Sequence, residues 1–320
     1  MIYLGLEGLE VSNTLIEVAQ QYQPDCILRQ KLYRLALTEG NVKSLQQTAS
    51  LFPELATWLD PEEIEDQCRA TTNSLGGITL TNGCKVIDVP NYLRGLWKAC
   101  QKLSKFTAKW SLIDYSALTI DSSMQFWKYQ LEHYDTVIFA AGNGLFTDSI
   151  LQSEAESLPV EIVRGQSIEM KLDNDSTTKR SYPNEALLCG KYIAPLVGKN
   201  RVLIGATHEY KKEPLNNDEV VNDLSSRSSN LANFVWENGK VERITEGYRV
   251  QSQRGKYGRM PIIGKSQSHE LHPNSWLFTG LSSRGLIYHG VLGKILSEAI
   301  LKDDESSILI DFPDAFWWKK

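Results

Sequence analysis

Trp276-Leu277-Phe278-Thr279-Gly280-Leu281-Ser282-Ser283-Arg284-Gly285-Leu286-Ile287 is an apolar run, a glycine, small polar residues, a second glycine and a new apolar run. It reads as a buried strand at 276–278, a glycine turn, and a long apolar helix from Ile287 to about Leu301. Gly280 permits close backbone approach, and the N–H groups of Ser283, Arg284, Gly285 and Leu286 point at whatever occupies the helix N-terminus. Such a turn suits an anionic ring edge or a phosphate. Taken alone it equally describes an ordinary strand-to-helix turn, the commoner case for an isolated motif.

Two further stretches extend the pattern. In Tyr134-Asp135-Thr136-Val137-Ile138-Phe139-Ala140-Ala141-Gly142-Asn143-Gly144 a short continuous apolar run ends in glycine, as a buried parallel strand does. The small Ala140 and Ala141 leave room for another backbone or a cofactor. As a dinucleotide fingerprint it fails, because Gly142, Gly144 and Thr147 lack the third glycine and no acidic residue follows at the right distance. In Glu246-Gly247-Tyr248-Arg249-Val250-Gln251-Ser252, alternation places Arg249 on one face with Gly247, where its guanidinium could clamp a carboxylate in a cleft. Solvent exposure is the commoner fate of a strand arginine.

The remainder reads as helices over 7–22, from an Asn41 cap to about 51, from Asp60-Pro61 onward, from Asp88-Val89-Pro90 onward, and over 214–231 with a cap near Asn217. Strands are expected at 27–37, 76–80 (turning at Asn82-Gly83), 161–170, 187–195 and 202–206, with a polar loop over 171–184. Strand–glycine–helix units beside antiparallel strands define a mixed α/β (α+β) class.

Composition narrows the function classes. The 320 residues carry 34 basic and 39 acidic side chains, a net charge of −5, which argues against nucleic acid as a partner. No apolar run approaches the roughly 20 residues of a membrane-spanning helix. Cys26, Cys68, Cys84, Cys100 and Cys189 form no CxxC pair and are odd in number, so reduced core thiols and a reducing compartment are expected. The N-terminus has neither secretory nor transit character, so a soluble intracellular protein is expected, with no organelle assigned. His208 reads as a surface strand-end histidine, Lys302-Asp303-Asp304-Glu305 as a solvated helix end, and Trp317-Trp318 as part of a docked tail.

Taken in order, these stretches resemble the D-amino-acid oxidase superfamily of FAD-dependent oxidoreductases, with glycine and sarcosine oxidases and the oxidase half of tRNA-wobble-uridine enzymes nearest in pattern. Ala140-Ala141-Gly142 resembles the strand end that passes the adenosine side of FAD, and Gly280 through Leu286 the stretch that wraps the flavin ring. Val163-Arg164-Gly165-Gln166 resembles the family's Arg-Gly-Gln start of the substrate sheet. Tyr192-Ile193-Ala194-Pro195 with Val202-Leu203-Ile204-Gly205-Ala206-Thr207 resembles the paired strands of the substrate floor, and Gly76-Gly77-Ile78 to Leu93 the Gly-Gly stretch and its helix start.

The resemblance implies a partial Rossmann-like FAD-binding domain (85–155 and 265–305), an antiparallel substrate-sheet domain (1–84 and 156–264) and a tail (306–320). It implies FAD held by Ala141, Gly142, Gly280, Ser282, Ser283, Arg284, Gly285, Leu286 and Ile287. A small amine or amino acid would be held by Arg249 and Tyr192 and oxidised by hydride transfer to the flavin. For Tyr192 a core aromatic with a wet hydroxyl is an equal reading. No residue is assigned as a catalytic acid or base, because hydride transfer needs no strong base.

One departure stands out: none of the 22 glycines forms the GxGxxG unit with which family members hold the FAD pyrophosphate. The chain is expected to join the family pattern near Tyr3-Leu4-Gly5, as a shortened product or as a member that no longer holds FAD tightly. Two alternatives follow. One is a non-catalytic binding remnant that self-associates through the surface left by the missing unit. The other is a tRNA-modification oxidase, which would need a basic patch.

Overall fold

The computed structural model describes residues 4–68, 73–81, 83–112, 120–147, 157–172, 185–197, 200–210, 213–256, 258–268 and 272–319. In chain order its first half contains α1 (Gly5–Tyr22), β1 (Ile27–Arg29), β2 (Leu32–Leu35), α2 (Glu39–Leu51), β3 (Ala56–Leu59), α3 (Pro61–Cys68), β4 (Gly77–Leu80), β5 (Val86–Ile87), α4 (Val89–Leu103), α5 (Ile120–Leu131), β6 (Val137–Phe139) and α6 (Gly144–Thr147). There follow β7 (Val160–Leu172), β8 (Ala186–Cys189), β9 (Lys191–Pro195), β10 (Arg201–Gly205), α7 (Asn217–Ser228), α8 (Asn233–Asn238), β11 (Gly239–Ser252), β12 (Ile262–Lys265), β13 (Ser275–Thr279), α9 (Gly285–Lys302) and α10 (Ile308–Asp311). The class is mixed α/β, as the sequence patterning requires.

Two compact units form. One comprises Met1–Leu15, Phe106–Val163 and Tyr248–Lys320, the other Ile16–Lys105 and Arg164–Gly247. Their boundaries fall after 15, 105, 163 and 247, where the sequence placed them after 84, 155, 264 and 305.

The second unit is organised by an eight-stranded sheet in the order β11-β7-β10-β9-β8-β2-β4-β3. Most pairs are antiparallel, with Ile204 opposite both Ile168 and Ile193, while β2 and β8 run parallel. Alternation puts Ile168, Met170, Leu172, Ile193, Val202 and Ile204 on one face, where they meet Val220 and Leu224 of α7 and Val235 of α8. Full burial of each such side chain contributes about 1.5–3 kcal/mol. Helix α7 begins with a capping box: the Asn216 side chain accepts from Glu219 N–H, and Glu219 answers to Asn216 N–H. The cap therefore lies one residue before the expected Asn217. Thr38, not Asn41, caps α2, accepting from Asn41 N–H at 3.2 Å.

The expected strand 27–37 is broken. Ile27–Arg29 pairs with Val86–Ile87 in a separate two-stranded sheet, and Leu32–Leu35 joins the large one. Residues 187–195 likewise form two strands, turned at Gly190, whose φ of +67° favours glycine. Of the expected loop 171–184, residues 173–184 lie outside the described residues, as does Asn82 of the expected turn.

The first unit is built on a three-stranded sheet, β12-β13-β6. Strand β13 runs antiparallel to β12 and parallel to β6, with Leu277 opposite Phe139. Its helix α9 buries Tyr288, Val291, Leu292, Ile295 and Leu296 against Trp276 and Ile263. The start of α1 packs closely on α9: a Cβ on Gly8 would lie 2.6 Å from the Ile287 carbonyl oxygen, and one on Gly290 would lie 2.7 Å from Val11. Ser12 donates its hydroxyl to the Leu286 carbonyl. The tail is part of this core, for Phe312 and Ala315 join the α9 cluster, and Trp318 is buried against Ile262 and Leu277.

Candidate active site

The strand ends of the first unit converge on a cleft of about 270 Å³. One wall is the end of β13 and the bend after it: Phe278, Thr279, Gly280, Leu281 and Ser282. Gly280 (φ +71°) and Ser282 (φ +56°) both adopt left-handed backbone, which turns the chain sharply before α9 begins. A second wall comes from the end of β6, through Ala140, Gly142 and Asn143; Gly142 (φ +54°) would present an added Cβ to open space. The third is Tyr248, Arg249 and Val250 of β11, with Arg249 half-buried. Arg249, Gly142, Gly280 and Ser282, separated by up to 140 residues in sequence, thus line one hollow.

Two features of the cleft were not read from the sequence. Thr279 is 2% exposed, and its Oγ1 has no hydrogen-bond partner among the described residues. A buried unsatisfied hydroxyl costs about 1–3 kcal/mol. Behind the bend stands a polar frame. Gln251, itself buried, donates Nε2–H to Glu161 Oε1 at 3.0 Å, and its Oε1 accepts from Ser282 Oγ at 3.4 Å. Arg259 also donates to Glu161 Oε1, at 2.8 Å. A backbone bridge between Gln251 and Leu281 ties the bend to β11.

The other expected site residues sit elsewhere. Ser283 and Leu286 are exposed, and Ala141 follows the lining Ala140 without lining the cleft itself. The carbonyls of Leu286 and Ile287 are turned to α1, and the Arg284 guanidinium lies beside Gly258, 3.8 Å from where a Cβ would be. Gly285 begins α9 with open space on its Cβ side. Tyr192 belongs to the second unit, where its hydroxyl pairs with Ser167 Oγ at 3.1 Å across Gly205. Any side chain at Gly205 would collide with both hydroxyls.

The second unit also buries a carboxylate. Glu209 accepts from Gln166 Nε2 at 3.1 Å, from Leu215 N–H at 3.1 Å and from the Thr207 hydroxyl, with Arg164 at 3.8 Å. Burial by itself would raise this carboxyl, but the three hydrogen bonds and the guanidinium outweigh it and hold it below the usual carboxylate range. All of its donors are protein groups, so this is a structural network. Among the described residues no group of three His, Cys, Asp or Glu could hold a metal, and no helix is long and apolar enough to cross a membrane.

The hollow thus lies at the ends of the parallel strands β6 and β13, with an arginine on its wall. The architecture is that of a flavin-dependent oxidoreductase. Residues 3–299 match the family described as FAD dependent oxidoreductase (DAO), and the chain belongs to that family.

Among curated proteins, the tRNA 5-methylaminomethyl-2-thiouridine biosynthesis bifunctional protein MnmC of Thiobacillus denitrificans is 21% identical over 285 residues. The match takes in 84% of this chain but 42% of that protein, so the chain spans about two fifths of its curated relative. Among solved structures, glycine oxidase from Bacillus cereus superposes with a TM-score of 0.68 at 15% identity, covering 96% of this chain and 82% of the enzyme. Glycine oxidase from Geobacillus kaustophilus gives 0.65 at 19% identity, covering 94% and 78%. These likenesses establish the shared fold.

Proposed function

We propose that the cleft of the first unit seats the ring of FAD and that the chain oxidises a small amine or amino acid there. The observation that carries this reading is the single hollow shared by Arg249, Gly142 and the Gly280–Ser282 bend. When bound, the flavin supplies the two-electron oxidation of the substrate's C–H bond. The chain supplies position and electrostatics. Gly142, whose added Cβ would meet open space, leaves room for a ring edge beside the end of β6, and Gly280 lets the chain bend tightly against Ile262. Arg249 offers a planar fork of donors that matches a carboxylate in two parallel hydrogen bonds, fixing the substrate's orientation. No residue is assigned to the pyrophosphate.

The test is an absorption spectrum of the purified chain after incubation with FAD and removal of the excess, followed by oxidation assays on small amines and amino acids with a dye acceptor. The expected result is a bound flavin spectrum bleached by substrate. A colourless protein after FAD incubation would overturn the reading and leave a non-catalytic binding role. A second reading, oxidation of a modified uridine carried on tRNA, draws support from the similarity to the tRNA-modifying relative. It expects tRNA binding that weakens steeply with salt, which the net charge of −5 opposes.

A further inference from the structure

The bend that walls the cleft is conformationally demanding. Ser282 is not glycine, yet it holds a φ of +56° immediately after Leu281 and two residues after Gly280 at +71°. A left-handed serine persists only where its surroundings over-determine it. Its side chain donates to the Gln251 amide, which does not line the cleft. The amide is itself oriented. Glu161 Oε1 is an acceptor, so it takes the Nε2–H of Gln251 and leaves Oε1 facing Ser282; flipping the amide would set oxygen against carboxylate. Arg259 holds the same Glu161 oxygen from the other side, and also donates to the Ser252 carbonyl. The chain of contacts Arg259–Glu161–Gln251–Ser282 therefore runs from three separate segments to the cleft wall.

We propose that Gln251 is a positioning residue for the flavin ring: braced by Glu161, its amide holds Ser282 in the left-handed bend and so shapes the wall against which the ring stacks. The inference rests on the flavin reading above. It makes Gln251 matter for ring affinity although it touches no ligand. Because the brace needs a donor toward Glu161 and an acceptor toward Ser282 at once, only a neutral amide or a protonated carboxyl of the same shape can fill the position. The charged groups facing it are Glu161 and Arg259, with the Arg284 guanidinium beyond the Gly258 turn.

The test uses the full chain and two probes, FAD and riboflavin, with binding read by flavin fluorescence quenching well below the melting temperature. Gln251→Met keeps the side chain's length and removes both hydrogen bonds; riboflavin should bind about five- to tenfold more weakly than to the unaltered chain, the equivalent of one or two ordinary hydrogen bonds. Gln251→Glu should bind as weakly as the Met variant at pH 8, where two carboxylates oppose each other. It should recover as acid restores a shared proton, while the unaltered chain shows no such slope between pH 5.5 and 8. A merely structural Gln251 would shift the melting temperature and leave the dissociation constants alone. Dissociation constants equal to the unaltered chain's, or a flat pH profile for Gln251→Glu, overturn the positioning role and leave the flavin reading standing. If the unaltered chain quenches neither probe, the flavin reading falls and takes this inference with it.

Discussion

Replacing Arg249 by methionine removes the guanidinium that lines the cleft while keeping an unbranched side chain of similar reach. A carboxylate held by two charge-assisted hydrogen bonds would gain about 1.5–3 kcal/mol from each in a fully buried site. Arg249 is half-buried, so solvent screening reduces the pair to about 2–3 kcal/mol in total. That corresponds to a loss of roughly 30- to 150-fold in kcat/KM for an amino-acid substrate. Arg249→Lys keeps the charge but not the planar fork, and should lose about five- to tenfold. The discriminating assay pairs each amino acid with the amine of the same side chain that lacks the carboxylate. The Arg249→Met loss should appear with the acid and nearly vanish with the amine. If both substrates lose equally, the guanidinium is doing something other than holding a carboxylate; if neither does, it faces no substrate at all.

Three further outcomes follow from the packing. Gly8→Ala should destabilise the chain by about 1–3 kcal/mol in urea unfolding, because the new Cβ meets the Ile287 backbone at 2.6 Å and neither helix can yield; an unchanged midpoint would contradict the close crossing. Thr279→Val should leave the ligand-free chain equally or more stable, since it replaces an unpartnered buried hydroxyl by a methyl of the same shape, and a clear loss of stability would reveal a protein partner for Oγ1. Glu209→Gln should cost about 1–3 kcal/mol, since an amide NH2 in place of one carboxylate oxygen turns against the donors that oxygen served while the other oxygen still accepts. Because the Glu209 carboxyl is held low in the fold, its stabilisation is fully present above its unfolded value and is lost as pH falls through the folded one. The variant's stability should therefore fall less steeply in acid than the unaltered chain's, and an identical acid limb would remove Glu209 from the account.

Local signals in the sequence carried much of the fold. Asp88-Val89-Pro90 announced α4, and Asp88 indeed accepts from Asn91 N–H at 2.8 Å. The run before Gly280 was legible as a buried strand because β13 is covered on both faces; the run before Gly142 pairs in parallel as expected, but it is not buried throughout, for Ile138 is exposed. What failed was decided by distant partners. The stretch 27–37 alternates well enough for one strand, but Ile27 finds its partner at Ile87 and Leu32 finds its at Leu80, and nothing within the stretch encodes that divergence. The hairpin within 187–195 did leave a trace, Gly190 between two apolar runs, which was passed over because the apolar pattern continues across it.

The site divides along the same line, and the division has a physical cause. A residue that serves a ligand through its backbone must be glycine or bear an unusual φ, so Gly142 and Gly280 stand out in sequence. Arg249 could be picked out only by the alternation that sets it on one face with Gly247. Gln251 and Glu161 do not stand out, for each is ordinary in its own strand, and their meaning lies in a contact spanning 90 positions. The cleft wall is therefore specified twice. Local chain chemistry makes the Gly280–Ser282 bend possible, and a long-range hydrogen-bonded frame selects which of the bend's accessible shapes the chain adopts. If that is correct, changes to the frame should alter how tightly a ring is held while leaving the bend's own sequence untouched, and changes within the bend should be partly compensated only when the frame is intact.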